Sequence, residues 1–270
     1  MRKTRQQVRQ ELERQFDASV ARYIVEELFQ CSYAELVHDG TAEVTLAEEE
    51  LLHHVVQQVK AGYPLQYAFE RAYFYGYTFH VNEHVLIPRP ETEELVYFIL
   101  QKFGKEQLRV LDIGTGSGVI ALTLKLENRH FDVTAVDISE DALHVAKRNA
   151  EELGADITFV QSDGLEAVEQ PFDIIVSNPP CISENEKSLM SESTLRYEPH
   201  LALFAEDEGY ALYEQWLNAI EGTPRCVAFE IGFAQKERVE QLLRERFPEA
   251  IVGTERDMHG KDRIVYALSN

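Results

Sequence analysis

Apolar side chains recur at helical spacing along the first sixty residues of the chain. Between residues 4 and 30 they form one stripe, whose members are Val8, Leu12, Phe16, Val20, Ile24 and Leu28. A stripe of this period predicts a helix with one face turned to a core. The capping-box pattern Thr45-Leu46-Ala47-Glu48 predicts a second helix that runs to about Lys60 and ends at Ala61-Gly62-Tyr63-Pro64. We therefore expect a helical domain over residues 1–70.

After Arg71 the pattern changes to alternating aromatic and β-branched residues. It runs to Ile87, with turn residues at Gly76 and at Asn82-Glu83. Such alternation predicts a β-hairpin, and we expect residues 71–88 to form a hairpin linker. His80 and His84 are four residues apart on this segment, a spacing that does not form a metal-ligand pair on a strand, so we expect both to be surface histidines.

Strands and helices alternate through the rest of the chain. The stiff segment Pro88-Arg89-Pro90 precedes a predicted helix through Val96 and Leu100, which has acidic residues in its first turn. Strands are predicted near residues 109–113, 132–137, 157–160, 172–177, 225–231 and 262–268. This alternation predicts an α/β fold with a mainly parallel sheet over residues 89–270, and ligands of such sheets bind at the carboxyl ends of the strands.

Composition limits the classes of protein that fit the chain. It has 270 residues, of which 44% are hydrophobic, and no segment resembles a signal peptide or a membrane span. Its three cysteines, Cys31, Cys181 and Cys226, lie far apart and fit neither a disulfide framework nor a zinc site. These features favour a cytoplasmic protein without a structural metal.

The chain is strongly acidic. Its net charge is −21, from 47 acidic and 26 basic side chains. A surface of this sign repels phosphate backbones and argues against stable binding of nucleic acid. A local basic groove, or adaptation of the surface to a salty or alkaline habitat, leaves that question open.

The segment Ser177-Asn178-Pro179-Pro180-Cys181 follows the apolar run Phe172–Val176 directly. The two prolines fix their own φ angles and favour an extended Asn178. The Asn178 side chain and the proline carbonyls therefore keep one geometry, which suits the binding of a planar NH2 group. Together with a glycine loop upstream, the segment predicts methylation of an amino group.

That loop is Asp112-Ile113-Gly114-Thr115-Gly116-Ser117-Gly118, between a predicted strand and a helix. Its G-x-G-x-G spacing differs from the dinucleotide fingerprint, which requires glycine or alanine where Val119 stands. Glycines allow close approach of a ligand to the backbone, and Asp112 can accept hydrogen bonds from a ligand ammonium group. The loop suits an amino-acid cofactor better than a pyrophosphate.

Acidic residues also follow the next two strands. Asp137 can accept hydrogen bonds from ribose hydroxyls, and Ser162-Asp163 can bind the adenine amine. A lone aspartate at a strand end is as often a helix N-cap. In register with the glycine loop, however, these acids together predict a pocket for S-adenosylmethionine.

At this point the chain resembles the Rossmann-like class I methyltransferases, and more narrowly the glutamine N5-methyltransferases of peptide chain release factors, the PrmC or HemK family. The likeness covers nearly the whole chain. Besides the glycine loop and Asn178-Pro179-Pro180, the matching motifs are Gly62-Tyr63-Pro64-Leu65-Gln66-Tyr67, Leu86-Ile87-Pro88-Arg89-Pro90-Glu91-Thr92-Glu93, Tyr197-Glu198-Pro199 with Ala202-Leu203, Phe229-Glu230-Ile231-Gly232 and Gly260-Lys261-Asp262-Arg263. The Pro-Arg-Pro-Glu-Thr-Glu segment is specific to this family, whereas Asn-Pro-Pro also occurs in adenine methyltransferases.

The resemblance implies an enzyme with a seven-stranded catalytic domain that methylates the glutamine of a Gly-Gly-Gln loop and leaves S-adenosylhomocysteine. It implies that residues 1–70 recognise the release factor. Cofactor contacts are expected from Asp112, Gly114, Thr115, Gly116, Ser117, Gly118, Asp137, Asp163, Gly164 and Asn178. Asn178 Oδ1 and the Pro179 carbonyl are expected to accept the amide hydrogens, with Pro180 and Cys181 beside the substrate. We expect a monomer without a membrane partner.

The chain departs from the family pattern at Gly164, where an aromatic residue is usual, and at Cys181, where tyrosine is usual. The departures leave open a SAM-binding homologue with weakened catalysis. The Asn-Pro-Pro motif leaves open an N6-adenine or other nucleic-acid amino methyltransferase acting on a flipped base. Glu230, near a strand end, is expected either to shape the site or to cap a helix.

Overall fold

A computed structural model describes residues 2–38, 40–169, 171–205, 209–232 and 234–269. The chain forms two compact units, one up to Arg71 and the other from Ala72 onward. In the first unit the helices are α1 (Arg5–Gln15), α2 (Ala18–Phe29), α3 (Tyr33–His38), α4 (Leu46–Lys60) and α5 (Leu65–Ala68). The division predicted from the sequence into residues 1–70, 71–88 and 89–270 stays a prediction.

The apolar stripe of residues 4–30 belongs to two helices, so the prediction of a single helix is wrong. The Asp17 carboxylate accepts a hydrogen bond from the Val20 N–H at 3.0 Å and caps the start of α2. Val8, Leu12 and Ile24 of the stripe lie in the core of the unit. The prediction of the second helix is confirmed, since Thr45 forms the capping box of α4 and the helix ends at Lys60.

The predicted hairpin consists of β1 (Arg71–Phe74) and β2 (Tyr77–His80), shorter than the predicted segment. Its turn residues Tyr75 and Gly76 have φ of 51° and 80°, the left-handed pair that suits a two-residue hairpin turn. The expectation that His80 lies at the surface is wrong. His80 is buried because its backbone N–H and C=O both bond to the Asn149 amide, at 2.6 and 3.0 Å. His84 is exposed, as expected.

A seven-stranded sheet forms the centre of the second unit. Its strands are β3 (Arg109–Ile113), β4 (Asp132–Asp137), β5 (Thr158–Gln161), β6 (Ile174–Ser177), β7 (Cys226–Glu230), β8 (Ile251–Arg256) and β9 (Asp262–Leu268). Their order is β5-β4-β3-β6-β7-β9-β8, and β9 runs antiparallel to both of its neighbours. The helices are α6 (Glu93–Phe103), α7 (Val119–Glu127), α8 (Glu140–Leu153), α9 (Glu192–Tyr197), α10 (His200–Leu203), α11 (Ala211–Ala219) and α12 (Lys236–Arg246).

The strands predicted from the sequence are all present, and β8 was missed. That strand lies at the edge of the sheet, and its burial is partial, with Ile251 exposed. Its sequence, Ile-Val-Gly-Thr-Glu-Arg, therefore lacks the continuous apolar run that identifies buried parallel strands. The prediction of an α/β fold with a mainly parallel sheet is confirmed.

Alternate residues of the parallel strands face two apolar clusters, one on each side of the sheet. Val110 and Val176 pack with α6 and α7, whereas Leu111 and Ile175 pack with α11 and α12. Burial on both faces explains why these strands are apolar throughout. In the described part of the chain, no helix has the length and apolar character required to cross a membrane.

The order of the strands reverses beside β3. The chain passes from β3 outward to β4 and β5 and then returns to the other side of β3 as β6. Ile113 at the end of β3 is paired with Ser177 at the end of β6. The glycine loop and the Asn-Pro-Pro segment therefore leave the sheet side by side, at the switch point where such sheets bind ligands.

Candidate functional site

A cavity of about 300 Å³ lies at the carboxyl ends of β3, β4, β5 and β6. Its wall also includes parts of residues 84–92, 199–202 and 212–216. The predicted site residues on this wall are Gly114, Thr115, Gly116, Ser117, Asp137, Asp163, Gly164, Asn178 and Pro180. Asp112, Gly118, Pro179 and Cys181 lie outside it. The structure thus brings most of the predicted residues to one cavity.

The glycine loop offers backbone rather than side chains to the cavity. Gly114 and Gly116 have φ of +70° and +55°, and no atom lies within 4 Å of the place where a Cβ would stand. Gly118 has a different function, because a Cβ there would approach Leu122 Cδ1 to 2.9 Å. The first two glycines therefore leave room for a ligand, whereas Gly118 allows the start of α7 to pack closely against Leu122 and against Ala146 of α8.

Asp112 lies beneath the loop and is fully buried. Its Oδ2 accepts a hydrogen bond from Thr115 Oγ1 at 2.7 Å, while its Oδ1 has no hydrogen-bond partner among the described residues. Burial raises the pKa of this carboxyl to about 7, against the opposing hydrogen bond from Thr115. Asp112 therefore holds the loop from below and keeps one acceptor unused.

Asp137 reaches the cavity from the end of β4. Its Oδ2 accepts from the Gly116 N–H at 2.8 Å and its Oδ1 accepts from the Ser139 N–H at 2.9 Å. Burial raises the pKa of Asp137, and the backbone donors act in the opposite direction. The carboxylate thus ties the glycine loop to the start of α8, and Asp137 lines the cavity.

An indole ring lies against Gly164. A Cβ at Gly164 would stand 2.6 Å from both Cδ1 and Nε1 of Trp216, which comes from α11 and also lines the cavity. Asp163 accepts a hydrogen bond from Gln215 Nε2 at 3.3 Å. An aromatic surface therefore stands beside position 164 although the residue there is glycine. Trp216 was not predicted from the sequence, although it is the only tryptophan of the chain, which was the available signal.

The Asn-Pro-Pro segment is anchored by a buried serine. Ser177 Oγ donates a hydrogen bond to the Ile113 carbonyl at 2.6 Å and so ties the end of β6 to the end of β3. Asn178 is half-buried on the cavity wall, and its Nδ2 donates to Thr92 Oγ1 at 3.1 Å. Pro179 is buried and Pro180 lines the cavity. The Asn178 side chain thus has one defined partner and stands at the cavity.

Cys181 is not part of the cavity wall. Burial raises its pKa to about 12, and Glu230 and Glu186 act in the same direction. The Cys181 carbonyl accepts a hydrogen bond from Gln235 Nε2 at 3.0 Å. A thiol with this pKa stays protonated, and so it is a poor nucleophile.

Thr92 has no role predicted from the sequence, and Glu230 has two alternative ones. Thr92 lies where α6 begins but its side chain does not cap that helix, and its hydroxyl lies near the Glu230 carboxylate. Burial raises the pKa of Glu230 to about 7, and the bond from Thr92 lowers it. Both residues stand in motifs named above, but nothing in the spacing of those motifs indicates that they meet.

An ion pair between a half-exposed arginine and a buried glutamate lies beside the cavity. Arg89 Nη2 lies 2.7 Å from Glu198 Oε1, and Glu198 Oε2 accepts from the Ile87 N–H at 3.1 Å. Glu198 is almost fully buried, and Arg89 lines the cavity together with Pro199. The segment before α6 is thereby fixed to the loop between α9 and α10.

Two families of known proteins match parts of the chain. Residues 93–198 match the family described as "Methyltransferase small domain". Residues 3–68 match the family described as "PrmC N-terminal domain". The matches fall in different compact units of the structure.

Proteins named release factor glutamine methyltransferase are similar over most of the chain. The protein of Enterococcus faecalis is 45% identical over 229 residues, which cover 83% of each chain. The protein of Lactococcus lactis is 40% identical over 259 residues, or 94% of each chain. That of Bacillus subtilis is 44% identical over 240 residues, covering 83% of this chain and 82% of the relative.

Solved structures share the fold at low sequence identity. The hMettl16 catalytic domain in complex with MAT2A 3′UTR hairpin 1 has a TM-score of 0.58 and 15% identity, covering 91% of this chain and 90% of that one. The T. Thermophilus 16S rRNA N2 G1207 methyltransferase (RsmC), in complex with AdoMet and guanosine, has a TM-score of 0.52 and 20% identity, covering 74% and 50%. These likenesses show the fold alone.

Proposed function

The chain belongs to the family of release factor glutamine methyltransferases, and on this premise we propose that it transfers a methyl group from S-adenosylmethionine to the side-chain amide nitrogen of a release factor glutamine. The family predicted from the sequence is thereby confirmed. The position of Asn178, held by Thr92 on the wall of the cavity, carries the proposal for this site. The glutamine of a Gly-Gly-Gln loop is the proposed acceptor.

The residues of the cavity fit S-adenosylmethionine. The open space at Gly114 and Gly116 suits the amino-acid part of the cofactor, and Asp137 stands at the strand end where an acid binds ribose hydroxyls. Asp163 and the indole of Trp216 lie on the part of the wall assigned to adenine. When bound, the cofactor supplies an electrophilic methyl group on a positively charged sulfur.

The chain's own residues position the acceptor. An amide nitrogen is a poor nucleophile because its lone pair is delocalised, so the reaction depends on holding it in line with the methyl group at near-attack distance. Asn178 Oδ1 and the Pro179 carbonyl are proposed to accept the two amide hydrogens. The new N–C bond replaces the S–C bond of the donor, and the nitrogen then loses one proton to solvent.

Other parts of the proposal concern the whole protein. Residues 1–70 are proposed to recognise the release factor. Residues 3–68 match the family described as "PrmC N-terminal domain", which supports this assignment. Because translation termination takes place in the cytoplasm, the protein is proposed to act there. A monomer without bound nucleic acid remains the prediction.

Label transfer tests the function. The protein is incubated with methyl-labelled S-adenosylmethionine, a release factor and total RNA, and the label is then mapped by digestion and mass spectrometry. We expect the label on the glutamine of the Gly-Gly-Gln loop. A release factor with glutamate in place of that glutamine is the matched control and should stay unlabelled.

Other distributions of the label contradict the proposal in different ways. Label on RNA alone would identify a nucleic-acid methyltransferase. Binding of the cofactor without transfer to either acceptor would identify a binding protein that has lost catalysis. Binding is measured separately through the fluorescence of Trp216, the single tryptophan, which lies on the cavity wall.

A further inference from the structure

Glu230, Thr92 and Asn178 adjoin one another at the cavity. The Thr92 hydroxyl acts on the Glu230 carboxylate as a hydrogen-bond donor that lowers its pKa, and Asn178 Nδ2 donates to Thr92 Oγ1 at 3.1 Å. Thr92 and Glu230 are both buried, with exposed fractions of 2% and 6%. Thr92 lies at the start of α6, Glu230 at the end of β7 and Asn178 in the loop after β6.

The direction of each bond follows from the chemistry of the groups. An ionised carboxylate only accepts hydrogen bonds, so the single hydroxyl proton of Thr92 is directed to Glu230. The Thr92 oxygen can then only accept a hydrogen bond from Asn178. The NH2 group of Asn178 must therefore point toward Thr92. Asn178 Oδ1 is thereby turned away from Thr92, as an acceptor.

The basic side chains near Glu230 are paired with other carboxylates. Arg263 binds Asp257 at 3.0 Å, and Arg89 binds Glu198 at 2.7 Å. Glu230 Oε2 has no hydrogen-bond partner among the described residues. Since a buried carboxylate with an unused oxygen is costly, its presence calls for a function other than stability.

We propose that Glu230 and Thr92 are positioning residues that fix the orientation of the Asn178 amide and thereby select an acceptor bearing an NH2 group over one bearing only oxygen. This inference rests on the proposed function, since it concerns the acceptor of the same site. A glutamate side chain in the place of glutamine would meet Asn178 Oδ1 with a second acceptor and would be rejected.

The orientation depends on the charge of Glu230. A protonated Glu230 can donate to Thr92, which frees the Thr92 hydroxyl to donate to Asn178 Oδ1 and allows the amide to turn. The charged and titratable groups that face Glu230 are Arg89, Glu91, Cys181, Tyr213 and Arg263. The pKa of Glu230 is about 7. The Asn178 amide should therefore be held in one orientation above neutral pH and less firmly below it.

Threonine variants separate the hydroxyl from the volume of the side chain. Thr92→Val removes the hydroxyl and should lower kcat by about 10- to 100-fold with a smaller change in KM, because the acceptor is no longer held in line. Thr92→Ser keeps the hydroxyl and should stay within about threefold of the wild type. The matched control is Thr123→Val, since Thr123 is buried in α7 and its hydroxyl has no partner among the described residues.

Nuclear magnetic resonance tests the inference without catalysis. In the free protein, the side-chain NH2 signal of Asn178, assigned by its loss in Asn178→Asp, should shift with pH around the pKa of Glu230. The shift should persist in Thr92→Ser and vanish in Thr92→Val and Glu230→Gln. In kinetics, Glu230→Gln should also lose the rise of kcat with pH around neutrality.

The results separate the two proposals. If the wild-type protein labels no release factor, the proposed function fails, and the resonance experiment still decides on the positioning residues. If the wild type is active but Thr92→Val equals Thr92→Ser, or the Asn178 signal ignores the state of Glu230, the positioning inference is overturned. A Thr92→Val variant that discriminates glutamine from glutamate as strongly as the wild type also contradicts it.

Discussion

The two sides of the cavity differ in how far apart along the chain their stabilising partners lie. On the glycine-loop side, Thr115 bonds to Asp112, three residues away, and Ser139 bonds to Asp137, two residues away. On the other side, Asn178 bonds to Thr92, which is 86 residues away. The bond between Gly116 and Asp137 spans 21 residues, so the glycine-loop side forms within β3, α7, β4 and the start of α8, whereas the other side requires residues much farther apart in the chain.

The difference predicts that the two sides of the cavity contribute separately to ligand affinity and to turnover. Residues of the glycine-loop side contact the proposed cofactor region, and their replacement should mainly change ligand affinity. Residues around Asn178 contact the proposed acceptor region, and their replacement should mainly change turnover. Trp216 fluorescence measures the first quantity and label transfer measures the second, so the two effects are separable.

The largest effect is expected from Asn178→Ala. Removing the amide eliminates an acceptor that holds the reacting nitrogen, and loss of one such group typically lowers kcat by about 10²- to 10³-fold. Because Asn178 is also expected to contact the cofactor, ligand affinity by Trp216 fluorescence should fall as well, but by much less than turnover. The control is Asn218→Ala, at an exposed position of α11 that does not line the cavity. Equal loss of affinity and turnover would contradict the separate contributions of the two sides.

Asp137→Ala should show the opposite pattern. The carboxylate holds the Gly116 N–H and is assigned to the ribose, so we expect ligand affinity to fall by about 100-fold, which corresponds to the loss of two hydrogen bonds to a charged group. Saturating ligand should restore most of the turnover. Asp132→Ala, at the exposed opposite end of β4, is the control in the same strand. Unchanged affinity would show that Asp137 only supports the loop.

Stability should fall as pH rises through the range in which Glu230 ionises. Its pKa is raised from 4.5 in an unperturbed carboxyl to about 7 in the folded protein. The folded state therefore binds the proton more tightly, and this group should lower the free energy of unfolding by about 2 kcal/mol between pH 5 and pH 8. Asp112, with its pKa also raised to about 7, acts in the same direction.

Urea unfolding at both pH values measures this contribution. Glu230→Gln removes the titrating group, so the decrease in stability between pH 5 and pH 8 should be smaller in the variant by about 2 kcal/mol. Comparing the change across pH cancels any constant effect of the substitution on packing. An identical decrease in both proteins would mean that Glu230 titrates normally.

Gly164→Ala should weaken ligand binding through Trp216. The new Cβ would stand 2.6 Å from the indole and displace it from the cavity wall, for which we expect about a tenfold loss of affinity. Gly154→Ala is a matched control, since Gly154 also has a positive φ but open space around its Cβ position. The two variants share the cost of backbone strain, so only Gly164→Ala should change the fluorescence of Trp216.

Local patterns were sufficient to predict most of the fold. The capping box of Thr45 and the buried strands were found because each has a short-range signal, an N-cap with its partner three residues on or a continuous apolar run. The same locality explains the errors. Asp17 caps a new helix although the apolar stripe continues past it, so the sequence pattern does not show the break. The edge strand β8 is partly exposed and therefore lacks an apolar run.

The candidate site was predictable to a similar extent. The glycine loop, Asp137 and Asn178 were identified because each directly follows a buried strand. The contacts of Trp216 with Gly164 and of Thr92 with Glu230 were not, since they join residues far apart in the chain. Such pairs leave no periodic or spacing signal in a single sequence.

The smallest effect is expected from Cys181→Ser. Cys181 belongs to the motif on the acceptor side, but its thiol does not line the cavity and is held protonated by a pKa of about 12. Its loss should therefore change kcat by less than about twofold, in contrast to Asn178 three residues earlier. Label-transfer rates of the variant and of Cys31→Ser, in the other compact unit, measure the difference. A large loss in Cys181→Ser alone would mean that the acceptor side extends beyond the cavity wall to this sulfur.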